Sequence, residues 1–130
     1  MFLNSGYGAA AHGRYRAVDV DSQVEGASPH RLISILFDEL TKAIDIMLAA
    51  QRSGNRGKVI EKQGRASTIL LALETSLDFR NGGEIAINLA QVYRESRRLV
   101  QLGGRSEDAA PIERARKMIN EISDAWDQIA

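Results

Sequence analysis

Apolar residues recur along most of the chain at the three- and four-residue spacing of an α-helix. Serine and proline at positions 28 and 29 suit the N-cap and the first position of a helix. Glycine-containing clusters then divide the pattern into segments. In chain order, the predicted helices span about 29–53, 58–80, 84–102 and 111–129, with Asn81-Gly82-Gly83 ending the second and Gly103-Gly104 the third.

The first predicted helix carries more apolar surface than one hydrophobic core requires. Its apolar side chains cover an arc of roughly 220°, whereas a surface helix usually shows a stripe of about 100° or somewhat more. The fourth helix shows an ordinary stripe, so composition alone does not explain the breadth of the first. The additional apolar surface is expected to be covered by another part of this chain, by a second copy or by a partner.

Four helices joined by short turns favour antiparallel neighbours. The sequence therefore predicts an all-α fold, an antiparallel up-down four-helix bundle with an N-terminal arm or short capping helix. Residues 1–26 lack helical periodicity and are assigned to the arm, and residues 27–130 to the bundle.

Composition narrows the class of protein. The chain has 130 residues and no cysteine, which excludes disulfides and thiolate metal sites. Its 17 basic and 17 acidic residues are interleaved, which argues against nucleic-acid binding. No apolar run approaches the ~20 residues of a membrane span, and no signal peptide is evident. We expect a soluble, unprocessed protein without membrane insertion.

Candidate chemistry is sparse. Neither His12 nor His30 follows a glutamate at the spacing of di-iron bundles, and two histidines cannot build a usual zinc site. The segment 54–58, GNRGK, is similar to half of a phosphate loop but follows a helix rather than a strand. We predict no enzyme, no metal and no cofactor. Phosphotransfer at His30 and a structural homodimer remain alternatives.

Three ordered motifs resemble the flagellar secretion chaperone family, FliS. The first is the arm segment YRAVDVDS at 15–22, and the second is ASPHRLI at 27–33 with LFD at 36–38, where Glu39 replaces the family's usual glycine. The third is GGEIA at 82–86 with Asn-Leu at 88–89 and Tyr93, followed by RRL at 97–99. Glu95 and Ser96 stand where the family tends to carry an aromatic residue and a methionine.

The resemblance implies a bacterial cytosolic chaperone without enzymatic activity. Its client, the protein segment that it holds, would be the disordered C-terminal segment of flagellin, bound in apolar grooves so that flagellin does not polymerise before export. Delivery to the flagellar type III export gate would follow. The N-terminal arm would cap a groove in the absence of client, with Tyr15 and Val18 as the cap.

Candidate groove residues come from the first three predicted helices. They are Ile33, Leu36, Phe37, Leu40, Leu71, Ile85, Asn88, Leu89 and Tyr93. Because a sequence cannot orient helices about a bundle axis, the alternative for each apolar member is the interior core. Asn88 would bond to the client backbone or satisfy a buried polar group.

Overall fold

The computed structural model describes residues 24–128, and four α-helices make up most of this range. In chain order they are α1 (Pro29–Ser53), α2 (Arg56–Thr75), α3 (Phe79–Ser106) and α4 (Ala109–Asp127). Residues 24–128 contain no β-strand. The predicted all-α fold class is confirmed. The chain divides into two compact units, Met1–Ile35 and Leu36–Ala130.

The described part of the first unit is a turn followed by the start of α1. The amide of Ala27 donates to the carbonyl of Val24 at 3.0 Å. The hydroxyl of Ser28 accepts from the amide of Arg31 at 3.1 Å, which is the N-cap geometry that the sequence predicts. Ile35 is buried, and Val24 and Ala27 pack against it.

In the second unit, residues 36–53 of α1 form an up-down bundle with α2, α3 and α4. The connections between successive helices are two or three residues long, which places each helix antiparallel to the next. Ion pairs between α2 and α3 show the same antiparallel orientation. Arg56 at the start of α2 pairs with Glu107 just beyond α3, whereas Glu74 near the end of α2 pairs with Arg94 within α3.

From residue 36 onward, the apolar residues of α1 lie inside this bundle. Phe37, Leu40, Ile44 and Met47 are almost completely buried. A helix that is apolar on most sides belongs in a core rather than at a surface. The sequence left three possible covers for this apolar surface: another part of the chain, a second copy or a partner. In the structure, other parts of the same chain cover it. The surplus therefore does not by itself indicate a partner.

The boundary between the second and third helices differs from the prediction. α2 ends at Thr75 rather than near position 80, and α3 already begins at Phe79. The cause is Asp78, whose carboxylate caps a new helical turn. Gly83 has φ 51° and ψ −129°, so it interrupts α3 after its first turn instead of ending α2.

Gly103-Gly104 does not end the third helix, as the sequence predicted, because α3 continues to Ser106 and is capped by Glu107 in a left-handed conformation. Both glycines are buried. A Cβ atom on Gly103 would overlap the Ile112 side chain, and one on Gly104 would overlap the Gln63 side chain. The glycines permit close helix packing.

α4 begins two residues before the predicted start. The carboxylate of Asp108 accepts from the amide of Ala110 at 3.0 Å and so caps the helix. Pro111, Ile112, Ala115 and Ile119 form its buried face. Position 129, the predicted end, lies outside the described residues.

Candidate functional site

Exposed apolar side chains gather at the start of α3. Of the large apolar residues exposed in the described range, three lie here: Phe79 at 48%, Ile85 at 72% and Ile87 at 49%. Exposure of several large apolar side chains on one short segment is unusual and is typical of an interaction surface. Ile85 and the half-buried Leu89 lie on one side of the helix, whereas Ile87 lies about 200° from Ile85 around its axis. We call Ile85, Leu89 and the exposed Asn88 beside them the α3 surface.

A capped turn holds Phe79 in place. One carboxylate oxygen of Asp78 accepts from the amides of Arg80 and Asn81 at 3.1 Å, and the other accepts from the Asn81 side chain at 2.7 Å. These hydrogen bonds lower the pKa of Asp78 below its ordinary value, and the bond from the Asn81 backbone amide has the largest effect. Gly83 then redirects the chain with a backbone conformation that only glycine adopts readily.

Beyond Gly83, α3 places small residues inward and large apolar residues outward. Ala86 and Ala90 are buried, whereas Ile85 and Ile87 are exposed. This is the reverse of the arrangement that burial of apolar area favours in a surface helix. Tyr93 follows on the buried side, and its burial raises its pKa to about 12.

The structure places the candidate groove residues in three environments. Leu36, Phe37, Leu40 and Tyr93 are buried. Leu71, Ile85 and Asn88 are exposed, and Leu89 is half-buried. Ile33, in the first unit, is half-buried. Tyr15 and Val18, the predicted cap, lie outside the described residues.

Ile85, Asn88 and Leu89 come together on α3 at the i, i+3, i+4 spacing of one helix face. Sequence reasoning missed Phe79, which it placed within the second helix, and Ile87. Ile87 stands outside the apolar stripe of its helix. That departure from periodicity was the available signal of exposure.

The three positions that depart from the family pattern are also accounted for. Ser96 is completely buried, so it belongs to the interior of the bundle. Glu95 accepts two hydrogen bonds from Arg98, at 2.6 and 2.9 Å, and these lower the pKa of Glu95. Glu39, at the family's glycine position, is buried and pairs with Lys42 and Arg65.

The polar groups of the described range show no cluster for metal chemistry. Within residues 24–128, no group of three histidine, aspartate or glutamate side chains is arranged to hold a metal ion. None of the helices in this range is long and apolar enough to cross a bilayer.

Known proteins are similar to this chain along nearly its whole length. A family model described as "Flagellar protein FliS" matches residues 11–130. The chain belongs to the FliS family. A flagellar secretion chaperone FliS from Salmonella typhimurium is 36% identical over 129 residues, which cover 95% of this chain and 93% of the relative. Its counterpart from Vibrio cholerae is 33% identical over 115 residues, which cover 88% of this chain and 85% of the relative.

A third relative, the flagellar secretion chaperone FliSB of Pseudomonas aeruginosa, is 30% identical over 128 residues and covers 95% of this chain and 98% of its own. FliS proteins are chaperones of flagellar assembly and not enzymes. Membership therefore favours the chaperone interpretation over phosphotransfer at His30. The resemblance recognised from the ordered motifs is confirmed.

Proposed function

We propose that this chain is a cytosolic flagellar export chaperone that binds the disordered C-terminal segment of flagellin. It keeps that segment from polymerising and delivers it to the flagellar type III export gate. The observation that carries the proposal is the inverted first half of α3, where Ile85 is 72% exposed while Ala86 and Ala90 are buried. Family membership supplies the class of client.

The geometry of the α3 surface suits a segment that folds as it binds. An amphipathic helix presents anchors at about i, i+3, i+4 and i+7 and needs an apolar surface of matching length. Ile85 and Leu89 offer two large apolar side chains on one face of α3, and the exposed side chain of Asn88 lies on the same face, where its amide would bond with a client backbone. Leu71 of α2 adds a further exposed apolar contact.

The buried candidates have a supporting part in this proposal. Leu36, Phe37, Leu40 and Tyr93 form core that holds the exposed residues in place. Ile33 is kept as a groove residue of the first unit. Because only exposed side chains are available without rearrangement, we assign the largest direct contributions to Ile85 and its neighbours on α3.

The arm retains its proposed role as a competitor. If Tyr15 and Val18 cover the client surface, the measured affinity is the intrinsic affinity reduced by the fraction of molecules in which the surface is open. Replacing both with alanine is then expected to tighten client binding by about 3- to 30-fold. Weaker binding by this double variant would show that the arm contacts the client.

Calorimetric titration with a peptide of the cognate flagellin C-terminal segment tests the proposal. We expect the intact chain to bind, and Ile85→Ala to weaken binding by about 10-fold or more, as expected for an interface hot spot. Ile60→Ala is the matched control, because Ile60 is comparably exposed but lies near the start of α2. Absence of binding by the unmodified chain would contradict the function. Equal losses in both variants would contradict the assignment of the surface to α3.

A further inference from the structure

The packing of α3 against α4 gives a position to Trp126, the only tryptophan of the chain. The two helices are antiparallel neighbours, and Gly103 faces Ile112, because a Cβ atom on Gly103 would overlap the Ile112 side chain. Two heptads, or fourteen positions, return a residue to within about 40° of the same helix face and move it about 21 Å along the axis. Two heptads back along α3 and two forward along α4 lead to Leu89 and Trp126.

One heptad along each helix gives an intermediate pair that checks this alignment. The pair is Ser96 and Ile119, and both side chains are completely buried, as expected of residues that face each other inside a bundle. The non-helical position inside α3, Gly83, lies before this stretch. Leu89 and Trp126 are half-buried. They therefore form the outermost layer of the contact between α3 and α4.

The outer edge of this contact is apolar beside that layer. The pKa of Glu95 is lowered first by its hydrogen bond from Arg98 and also by the charge of Arg114, so Glu95 of α3 and Arg114 of α4 mark this edge. At 100° per residue, Val92 lies between the edge and the buried centre of the contact on α3, and Ile122 lies in the same way on α4. Both side chains are half-buried.

The layer of Leu89 and Trp126 borders the α3 surface. Ile85 lies one turn before Leu89, about 6 Å along the axis of α3 and within about 40° of the same face. By the same alignment, the level of Ile85 corresponds to position 130, whereas α4 ends at Asp127. The side chain of Trp126 therefore stands at the point where α4 stops covering α3 and the exposed part of α3 begins.

We infer that Trp126 contacts the client and forms the wall of the α3 surface at the end of α4. This inference rests on the proposed function and adds a residue that the candidate site lacked. An indole ring supplies a large apolar contact, and tryptophan is among the residues most enriched at binding hot spots. Because Ile85, Leu89 and the ring surround this point with apolar atoms, the client side chain that binds there is apolar.

The fluorescence of Trp126 tests the contact directly, because no other tryptophan in the chain contributes. We titrate the full chain with a tryptophan-free peptide of the cognate flagellin C-terminal segment. Emission should shift to shorter wavelength and acrylamide should quench it less, since the bound peptide excludes water from the ring. The matched control carries Trp126→Phe and Asp124→Trp, which moves the tryptophan to an exposed position about 200° around α4.

The emission of the control should stay unchanged on addition of peptide. If saturating peptide left the emission and quenching of the unmodified chain unchanged, the inference would be overturned. Equal shifts in the unmodified chain and the control would also overturn it, because the peptide would then not distinguish the two sides of α4.

Calorimetric titration with the same peptide separates this inference from the proposed function. We expect Trp126→Ala to weaken binding by about 10-fold or more and Trp126→Phe, which keeps an aromatic ring, by less than about 3-fold. Asp124→Ala should bind as the unmodified chain does. Circular dichroism checks that each variant keeps its helix content, and the fluorescence titration, which needs no alanine variant, decides if Trp126→Ala loses it. Equal binding by the unmodified chain and Trp126→Ala would overturn the inference and leave the proposed function intact. Absence of binding by the unmodified chain would overturn both.

Discussion

Replacing Gly103 with alanine should destabilise the bundle, although alanine is the better helix former. A Cβ atom at this position would lie 2.9 Å from the carbonyl oxygen of Asp108 and would overlap Ile112. The carbonyl belongs to the backbone and cannot rotate away. Overpacking costs about 1–3 kcal/mol, and the helix propensity of alanine returns about 1 kcal/mol. Because a backbone atom is involved, we expect a net loss of about 1–2 kcal/mol in the free energy of unfolding.

Gly64 provides the matched control for this experiment. It is an exposed helical glycine whose Cβ atom would meet nothing within 4 Å. Gly64→Ala should therefore raise the free energy of unfolding by about 0.5–1 kcal/mol. The change in the free energy of unfolding caused by Gly104→Ala should fall between those of the other two variants, since the overlapping group is the flexible end of the Gln63 side chain.

The assay is urea unfolding followed by circular dichroism. Comparison of midpoints at an unchanged slope gives the differences in stability. If Gly103→Ala stabilised the chain as much as Gly64→Ala, the close approach of α3 to the start of α4 would be refuted.

Three further predictions concern core packing and helix capping. Phe37→Ala should lower the free energy of unfolding by about 3–5 kcal/mol, because Phe37 is 1% exposed; a loss below about 1 kcal/mol in urea unfolding would contradict its burial. Asn55→Ala should cost about 1 kcal/mol in the same assay, because Asn55 accepts from the Lys58 amide as the N-cap of α2, and an unchanged midpoint would contradict that cap. The lowered pKa of Asp78 means that its contribution is complete above the ordinary value of 3.8 and is lost as the pH falls through the folded-state value. The stability advantage over Asp78→Asn should therefore shrink between pH 6 and pH 2, and a constant difference would contradict the charged cap.

Helix number, fold class and the N-cap of α1 follow from local patterns in the sequence. Ser28 before Pro29 is a signal that acts within one turn, so its outcome does not depend on the rest of the chain. The ordered motifs identify the family for a similar reason, because they are read directly from the residues.

Other features depend on contacts that a sequence does not display. Gly103-Gly104 looks like a helix stop, but both residues lie inside α3 and permit its close packing against α4 and α2. Asp78 caps α3, but the sequence does not reveal it as a cap because apolar periodicity continues through Leu77. The breadth of α1 is the clearest case, since an arc of apolar residues indicates burial without saying which surface provides it.

The candidate site shows the same limit. Phe37 and Ile85 are both large apolar residues at helical spacing, yet one is 1% and the other 72% exposed. Their difference arises from the orientation of each helix about the bundle axis. Ile87 shows that a residue outside the periodic stripe can be informative, because such a residue has no place in the core.

The most direct test of the central claim is the polymerisation of the cognate flagellin in the presence of this chain, followed by light scattering. At equal molar concentrations we expect the chain to suppress growth of scattering, because under the proposed function it would occupy the segment that flagellin needs for assembly. The Ile85→Ala chain should suppress polymerisation less, and the Ile60→Ala chain as fully as the unmodified one. Polymerisation at an unchanged rate in the presence of the folded, unmodified chain would contradict the account.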